Sequence, residues 1–129
     1  MTVPTVATYS AAALIAAHTS FKDLIDIGTA GSIKIRDAAD VLLAQIPLSD
    51  PCGTVNGSTG QLAFSMSGPD TSADASGTAA YGEFCDSAGL VHLSLPAQAG
   101  SVEVSGKIVL NTLSIIAAGP VSVISATIG

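Results

Sequence analysis

Apolar residues follow a helical period near the start of the chain. In the segment YSAAALIAAHTSFKDLIDIG the larger apolar side chains recur at spacings of 3, 4 and 7 residues, which predicts an amphipathic helix over about residues 10–27. These side chains are Leu14, Ile15, Phe21, Leu24 and Ile25. Ser10 is placed to cap the start of the helix, and Gly28 is placed to end it. Thr19-Ser20 is the weak point of the predicted helix, and a division into two shorter helices there is the alternative.

After Gly31 the period changes to two, which is the alternation typical of β-strands. On this pattern we expect strands at 32–36, 41–48, 61–67, 78–85, 90–95, 102–104, 108–110, 113–116 and 121–128. The inward positions of two of them are predicted to be Leu42, Ala44, Ile46 and Leu48, then Leu62, Phe64 and Met66. Residues 49–60 and 68–77 are rich in turn-forming residues and are expected to be loops. The pattern predicts a mainly β fold, an antiparallel β-sandwich or jelly-roll-like barrel with one N-terminal helix.

The chain ends in NTLSIIAAGPVSVISATIG, a segment without a single charged side chain. Such a tail suits a membrane span, a buried pair of strands or a surface that awaits a partner. A spanning helix needs about 20 predominantly apolar residues, whereas Gly119-Pro120 interrupts this run and favours a turn. We therefore predict two strands and no membrane span. Whether their apolar side chains face inward or face a neighbouring subunit stays open.

The first residues differ from the rest of the chain. Residues 1–9 include Pro4 and alternate Thr with Val, which predicts an extended N-terminal arm, and residues 10–129 are long enough to form one domain. The alternating pattern suits the addition of a strand to the sheet edge of a neighbouring molecule. The candidate interface residues of the arm are Val3, Pro4, Val6 and Tyr9.

The amino-acid composition indicates an unusually uncharged surface. Charged residues make up 11% of the chain, well below the roughly 25% of an ordinary soluble domain, while hydrophobic residues reach 48%. We infer that part of the surface is buried against other copies of the chain or other proteins. The alternative is a neutral surface of Ser, Thr, Gly and Ala, which water still wets. A net charge of −6, with the few Lys and Arg scattered, argues against direct binding of nucleic acid.

Candidate chemistry is sparse. Cys52 and Cys85 form no C-x-x-C pair and are predicted to be small buried thiols, although a disulfide between them stays open. His18 and His92 belong to no metal-ligand motif and are predicted to be surface residues or hydrogen-bonded core residues. The Asp70–Asp74 loop is predicted to form backbone hydrogen bonds rather than to bind a cation, a question that the sequence leaves open. With neither a nucleophile elbow nor a phosphate-binding loop, we predict no enzyme activity, no catalytic residue, no cofactor and no metal.

Two segments resemble a family of small virion structural proteins of tailed bacteriophages. One is GTAAYGEFCDSAG, residues 77–89, and the other is VLNTLSIIAAGPVSVISATIG, residues 109–129. The matching positions of the second are Leu110-Asn111-Thr112, Ser114-Ile115, Ala118-Gly119 and Val121-Ser122-Val123. A weaker likeness reaches back to Gly31, so that the resemblance covers about three quarters of the chain. The N-terminal arm and Val91-His92 depart from the family pattern.

The resemblance implies a capsid decoration or cement protein. Such a protein binds the major capsid protein or other virion proteins, stabilises the head, and is found in the virion after assembly in the host cytoplasm. We expect it to be a homo-oligomer, either a trimer or a dimer. One alternative is a tail, neck or fibre component of the same particle. Another is a cellular ligand-binding β module, against which stands the shortage of aromatic side chains for a sugar site.

Overall fold

The computed structural model describes residues 9–129, and the predicted arm residues Val3, Pro4 and Val6 lie outside them. Within residues 9–129 the chain forms one α-helix, α1 (Ala11–Ile25), followed by nine strands. The strands are β1 (Ser32–Arg36), β2 (Leu42–Val55), β3 (Leu62–Met66), β4 (Gly77–Thr78), β5 (Tyr81–Cys85), β6 (Val91–Ala99), β7 (Ile108–Leu110), β8 (Ser114–Ile115) and β9 (Val123–Ile128). The mainly β prediction with one N-terminal helix is confirmed.

Seven of the strands close into a barrel in the order β1-β2-β3-β9-β7-β6-β5, and β4 and β8 form a separate two-stranded sheet. The sandwich alternative is not confirmed. The pairing is antiparallel throughout the barrel except between β6 and β7, which are parallel. The expectation of a purely antiparallel fold is therefore wrong at this pair. The connection 100–107 returns along the barrel before β7 begins, so both strands run in the same direction.

Several predicted boundaries need correction. The predicted loop 49–60 begins too early, because β2 continues to Val55 and pairs again with β3 from Gly53 onward. The Asp26 carboxylate accepts a hydrogen bond from the Cys52 amide at 2.8 Å, which holds this part of the strand against the end of the helix. The predicted strand 102–104 is a loop. The predicted strand 78–85 is divided into β4 and β5, where the Ala79 amide donates to the Leu113 carbonyl.

The barrel interior is filled by alternating apolar side chains. Ile33 and Ile35 of β1 are fully buried, as their alternation predicts, and the rings of Phe64 and Phe84 meet with centroids 4.3 Å apart. On β2 the predicted inward set is wrong at Leu42, which is half-buried. A bulge opposite β1 turns Leu43 into the core instead. The register of the facing strand, rather than the local alternation, decides this position.

The helix closes one end of the barrel. Ser10 caps α1 as predicted, since its hydroxyl accepts a hydrogen bond from the Ala13 amide at 3.1 Å, and the helix runs unbroken through Thr19-Ser20. Ile25 is fully buried, and the ring of Phe21 meets Phe64 edge-on at a centroid distance of 6.4 Å. The face that carries these side chains therefore joins the barrel core.

An irregular ribbon closes the opposite end. Residues 70–79 run antiparallel to residues 113–121, through the sheet of β4 and β8 and a backbone bridge between Asp70 and Val121. The Leu43 carbonyl at the end of the barrel accepts hydrogen bonds from the amides of Asp74 and Ala75. The uncharged tail thus supplies β8, β9 and one side of this ribbon. Among the described residues no helix has both the length and the apolar composition to cross a bilayer.

Candidate interaction surface

The outer face of α1 carries an uncharged, exposed stripe. At about 100° per residue, the members that belong to α1 fall within one third of the helix circumference, on the side away from Ile25, and one further member flanks the helix at each end. They are Tyr9, Ala13, Ala16, Ala17, Ser20, Leu24 and Ile27, all of them exposed, and we call this set the helix stripe. Tyr9 is 71% exposed and Ile27 is 62% exposed.

The turn between β5 and β6 extends this apolar surface. The Ser87 hydroxyl donates a hydrogen bond to the Ile27 carbonyl at 3.1 Å, so the turn is held beside the end of the helix. Leu90 and Val91, which leave the turn, are 63% and 40% exposed. The helix stripe and this turn therefore lie at the same end of the barrel. A second group of exposed apolar side chains, Val41, Ile116 and Ile124, lies toward the ribbon end.

Asp86 organises the β5–β6 turn. Its Oδ1 accepts hydrogen bonds from the amides of Ala88 and Leu90, both at 3.0 Å, and its Oδ2 lies 2.9 Å from His92 Nε2. The hydrogen bond from His92 and those from the backbone lower the pKa of the Asp86 carboxyl, because they favour its charged form. His18 is also hydrogen-bonded, with Nδ1 2.6 Å from the Gly60 carbonyl oxygen. Each histidine therefore has a structural partner, as expected of isolated histidines.

A polar cluster covers the outer face of β1 and β5. Arg36 forms an ion pair with Glu83 and donates through Nη1 to the Asp40 carbonyl at 3.0 Å. The Tyr81 hydroxyl donates to Asp40 Oδ1 at 2.6 Å, and this hydrogen bond raises the pKa of Tyr81 to about 12. The cluster thus pairs the charge of Arg36 with the carboxylate of Glu83 in the same molecule, which is the arrangement of a structural network rather than of a phosphate-binding patch.

Both cysteines are buried and free, as predicted for small buried thiols. Burial raises the pKa of the Cys52 thiol to about 12, and the carboxylate of Asp26 adds to this effect. Burial likewise raises the pKa of the Cys85 thiol. Because the thiolate is the reactive form, both raised values point to inert structural thiols.

The acidic loop makes the backbone hydrogen bonds that its sequence predicts. Asp70 Oδ1 accepts from the Ser72 amide at 3.0 Å, and Oδ2 accepts from the Gln45 amide of β2 at 2.9 Å. Asp74 is exposed. Within residues 9–129 no group of three or more His, Cys, Asp or Glu side chains is placed to hold a metal ion, and these residues enclose no pocket.

Of the four predicted interface residues, the structure describes only Tyr9, which begins the helix stripe. Most of the remaining exposed apolar residues were not predicted as a surface, since Leu90, Ile116 and Ile124 alternate like ordinary strand residues. The helix stripe carried a signal that was overlooked: residues 11–17 are apolar almost all round, whereas a surface helix normally has one polar face.

The chain matches no protein-family model, and no curated protein or solved structure shows significant similarity to it.

Proposed function

We propose that this chain is a non-enzymatic virion structural protein of a tailed bacteriophage, a decoration or cement protein that binds the major capsid protein and stabilises the head. The observation that carries the proposal is the uncharged, exposed helix stripe with the β5–β6 turn beside it. An exposed apolar surface gains free energy when another protein covers it. The packed interior, with Phe64 against Phe84, leaves the outer surface as the region that binds.

The shape of the barrel suits a rigid attachment module. Closing the sheet removes the free strand edges that would otherwise pair with any extended chain. The ends of the barrel and the arm, in which Val3, Pro4 and Val6 precede Tyr9, would then make the specific contacts with the shell. The finer description of the fold as jelly-roll-like is likewise a proposal, which the strand pattern supports.

Stabilisation of a shell by such a protein is a mass-action effect. A protein that binds the assembled lattice but not loose subunits lowers the free energy of the lattice alone. A homo-oligomer, dimer or trimer, engages several shell subunits at once, so that weak individual contacts become strong together. Chemistry at a catalytic centre is not needed for this role.

The test is to measure the protein in virions of the phage that encodes it. We expect quantitative mass spectrometry of gradient-purified particles to find the chain at a fixed ratio to the major capsid protein, and immunogold labelling to decorate the head. Particles stripped of the chain should lose their DNA at a lower temperature, and added protein should restore the original value. Absence from purified virions would overturn the proposal. A few copies per particle, labelled at the neck or tail, would favour the tail alternative.

A further inference from the structure

We infer that Asn56 is a self-modifying residue, which cyclises onto the backbone nitrogen of Gly57 and is converted to aspartate and isoaspartate. The two residues begin the connection between β2 and β3, where both are exposed to water. The reaction needs only water and the chain's own atoms. The inference goes beyond the proposed function and does not depend on it.

The loop holds the side-chain carbonyl of Asn56 between two donors. Asn56 Oδ1 accepts hydrogen bonds from the Ser58 amide at 2.8 Å and from the Thr59 amide at 3.0 Å. When a nucleophile adds to Asn56 Cγ, negative charge develops on this oxygen. Two backbone amides within about 3 Å of such an oxygen are the arrangement that stabilises the tetrahedral intermediate in acyl-transfer enzymes. The loop therefore favours attack at Asn56 Cγ.

The nucleophile is the backbone nitrogen of Gly57. Its N–H donates to no acceptor within residues 9–129, so no hydrogen bond to those residues has to be broken before it reacts. A Cβ built on Gly57 would meet nothing within 4 Å, and glycine itself has no side chain to hinder rotation toward Asn56 Cγ. The nitrogen is therefore free to approach the side chain of Asn56.

The atoms of the reaction balance without an oxidant or a cofactor. The Gly57 nitrogen gives its proton to solvent as it bonds to Asn56 Cγ, and the C–N bond of the side-chain amide then breaks to release ammonia. Water opens the resulting succinimide ring at either of its two carbonyls. One opening restores the main chain with an aspartate, and the other routes the main chain through Cγ as an isoaspartate.

The second asparagine of the chain provides an internal control. Asn111 is the only other asparagine, and it is also exposed. Thr112 follows it, and a β-branched side chain crowds the backbone nitrogen that would have to attack. We therefore expect Asn111 to stay intact under conditions in which Asn56 is converted.

The conversion changes the contact between this loop and α1. The buried Gly60 amide donates to the Asn56 carbonyl at 2.8 Å, and the Gly60 carbonyl oxygen lies 2.6 Å from His18 Nδ1. A Cβ built on Gly60 would lie only 2.5 Å from the Leu14 Cβ, so the loop packs closely on the helix. Aspartate keeps this main chain and adds one negative charge. Isoaspartate inserts a carbon into the main chain and turns the carbonyl that accepts from Gly60 into a carboxylate, so it should loosen the contact with α1.

The test follows the full-length protein by peptide mass spectrometry during incubation in a mildly alkaline buffer. We expect Asn56 to be converted to both products while Asn111 stays intact. Gly57→Ala places a side chain in open space and should slow the conversion about tenfold without disturbing the fold, which circular dichroism checks. Conversion of Asn56 no faster than that of Asn111, or equally fast in Gly57→Ala, would overturn the inference.

A comparison with the unfolded chain isolates the role of the loop. Guanidinium chloride leaves the Asn56-Gly57 sequence in place but removes the hydrogen bonds that Oδ1 accepts from Ser58 and Thr59. At the same pH, the conversion should therefore be faster in the folded protein than in the unfolded chain. A slower conversion in the folded protein would show that the loop protects Asn56, and it would overturn the inference.

The effect on α1 is measured on the products after ion-exchange separation. Asn56→Asp keeps an oxygen that accepts from Ser58 and Thr59, and it should unfold at a temperature close to that of the wild type. The isoaspartate form should unfold at a lower temperature than Asn56→Asp. Equal unfolding temperatures of these two proteins would overturn the expected loosening of the contact between the loop and α1.

Discussion

The hairpins β1–β2 and β5–β6 share the same type of turn and the same bulge, but they differ in the side chain at the bulge. In each, an aspartate before the turn, Asp37 or Asp86, accepts hydrogen bonds through Oδ1 from the amides two and four residues later. In each hairpin the backbone amide of this aspartate donates to the carbonyl of the residue four positions later, which is Val41 or Leu90. Both of these apolar side chains are exposed. This is a three-residue loop whose last residue has a positive φ, a common connection of β-hairpins.

The two hairpins differ in the bulge residue, which lies three positions after the last residue of the turn. Both hairpins have a bulge at the same place, where one extra residue on the second strand faces no partner. In β2 this residue is Leu43, which is fully buried in the core, whereas in β6 it is His92, which reaches back to Asp86. The same backbone irregularity therefore anchors one hairpin by apolar packing and the other by a polar side-chain contact. Bulges of this kind redirect a side chain without changing the topology.

The largest expected effect comes from removing the two bulge side chains. Leu43→Ala should lower the free energy of unfolding by about 3 kcal/mol, because it leaves a cavity in a filled core. His92→Ala should cost clearly less, since it removes one hydrogen bond from a side chain at the rim of the barrel. Urea unfolding of both variants beside the wild type measures the difference. Equal losses would show that the two hairpins are anchored in the same way.

A smaller effect is expected at the positive-φ position of each turn. In the β5–β6 turn this residue is Gly89, with φ +86°, and in the β1–β2 turn it is Asp40, with φ +66°. Gly89→Ala should cost about 1 kcal/mol, because an L side chain is strained in this conformation while the space around it is open.

The matched change, Asp40→Gly, should have little net effect. It relieves the backbone strain but removes the carboxylate that accepts the hydrogen bond of Tyr81. Thermal unfolding of both variants gives the comparison. A marked gain in stability from Asp40→Gly would mean that the Tyr81 hydrogen bond contributes almost nothing.

The two hairpins also show what the sequence could predict. Strand β1, the helix and the connection 86–89 between the predicted strands 78–85 and 90–95 follow from local alternation, a cap and turn residues, and all of them were predicted. The bulges were not, because the unpaired residue is defined by the facing strand and not by its own neighbours. The same limit explains the wrong inward position at Leu42 and the unexpected continuation of β2 past residue 49. At the candidate surface, the apolar spacing of the helix includes Phe21 and Ile25, which pack against the barrel core, but also Leu24, which is 41% exposed.

The smallest expected effect is the loss of folding stability at acidic pH. Hydrogen bonds from His92 and the turn amides lower the pKa of Asp86 below the usual value of about 3.9. A carboxyl with a lowered folded-state pKa contributes stability that is present above the unfolded pKa and is lost as the pH falls through the folded one. The free energy of unfolding should therefore decrease below about pH 4. In Asp86→Asn, whose amide oxygen can still accept from Ala88 and Leu90, this part of the decrease should disappear. Urea titrations between pH 6 and pH 2 measure both proteins, and parallel curves would show that Asp86 does not link the β5–β6 turn to pH.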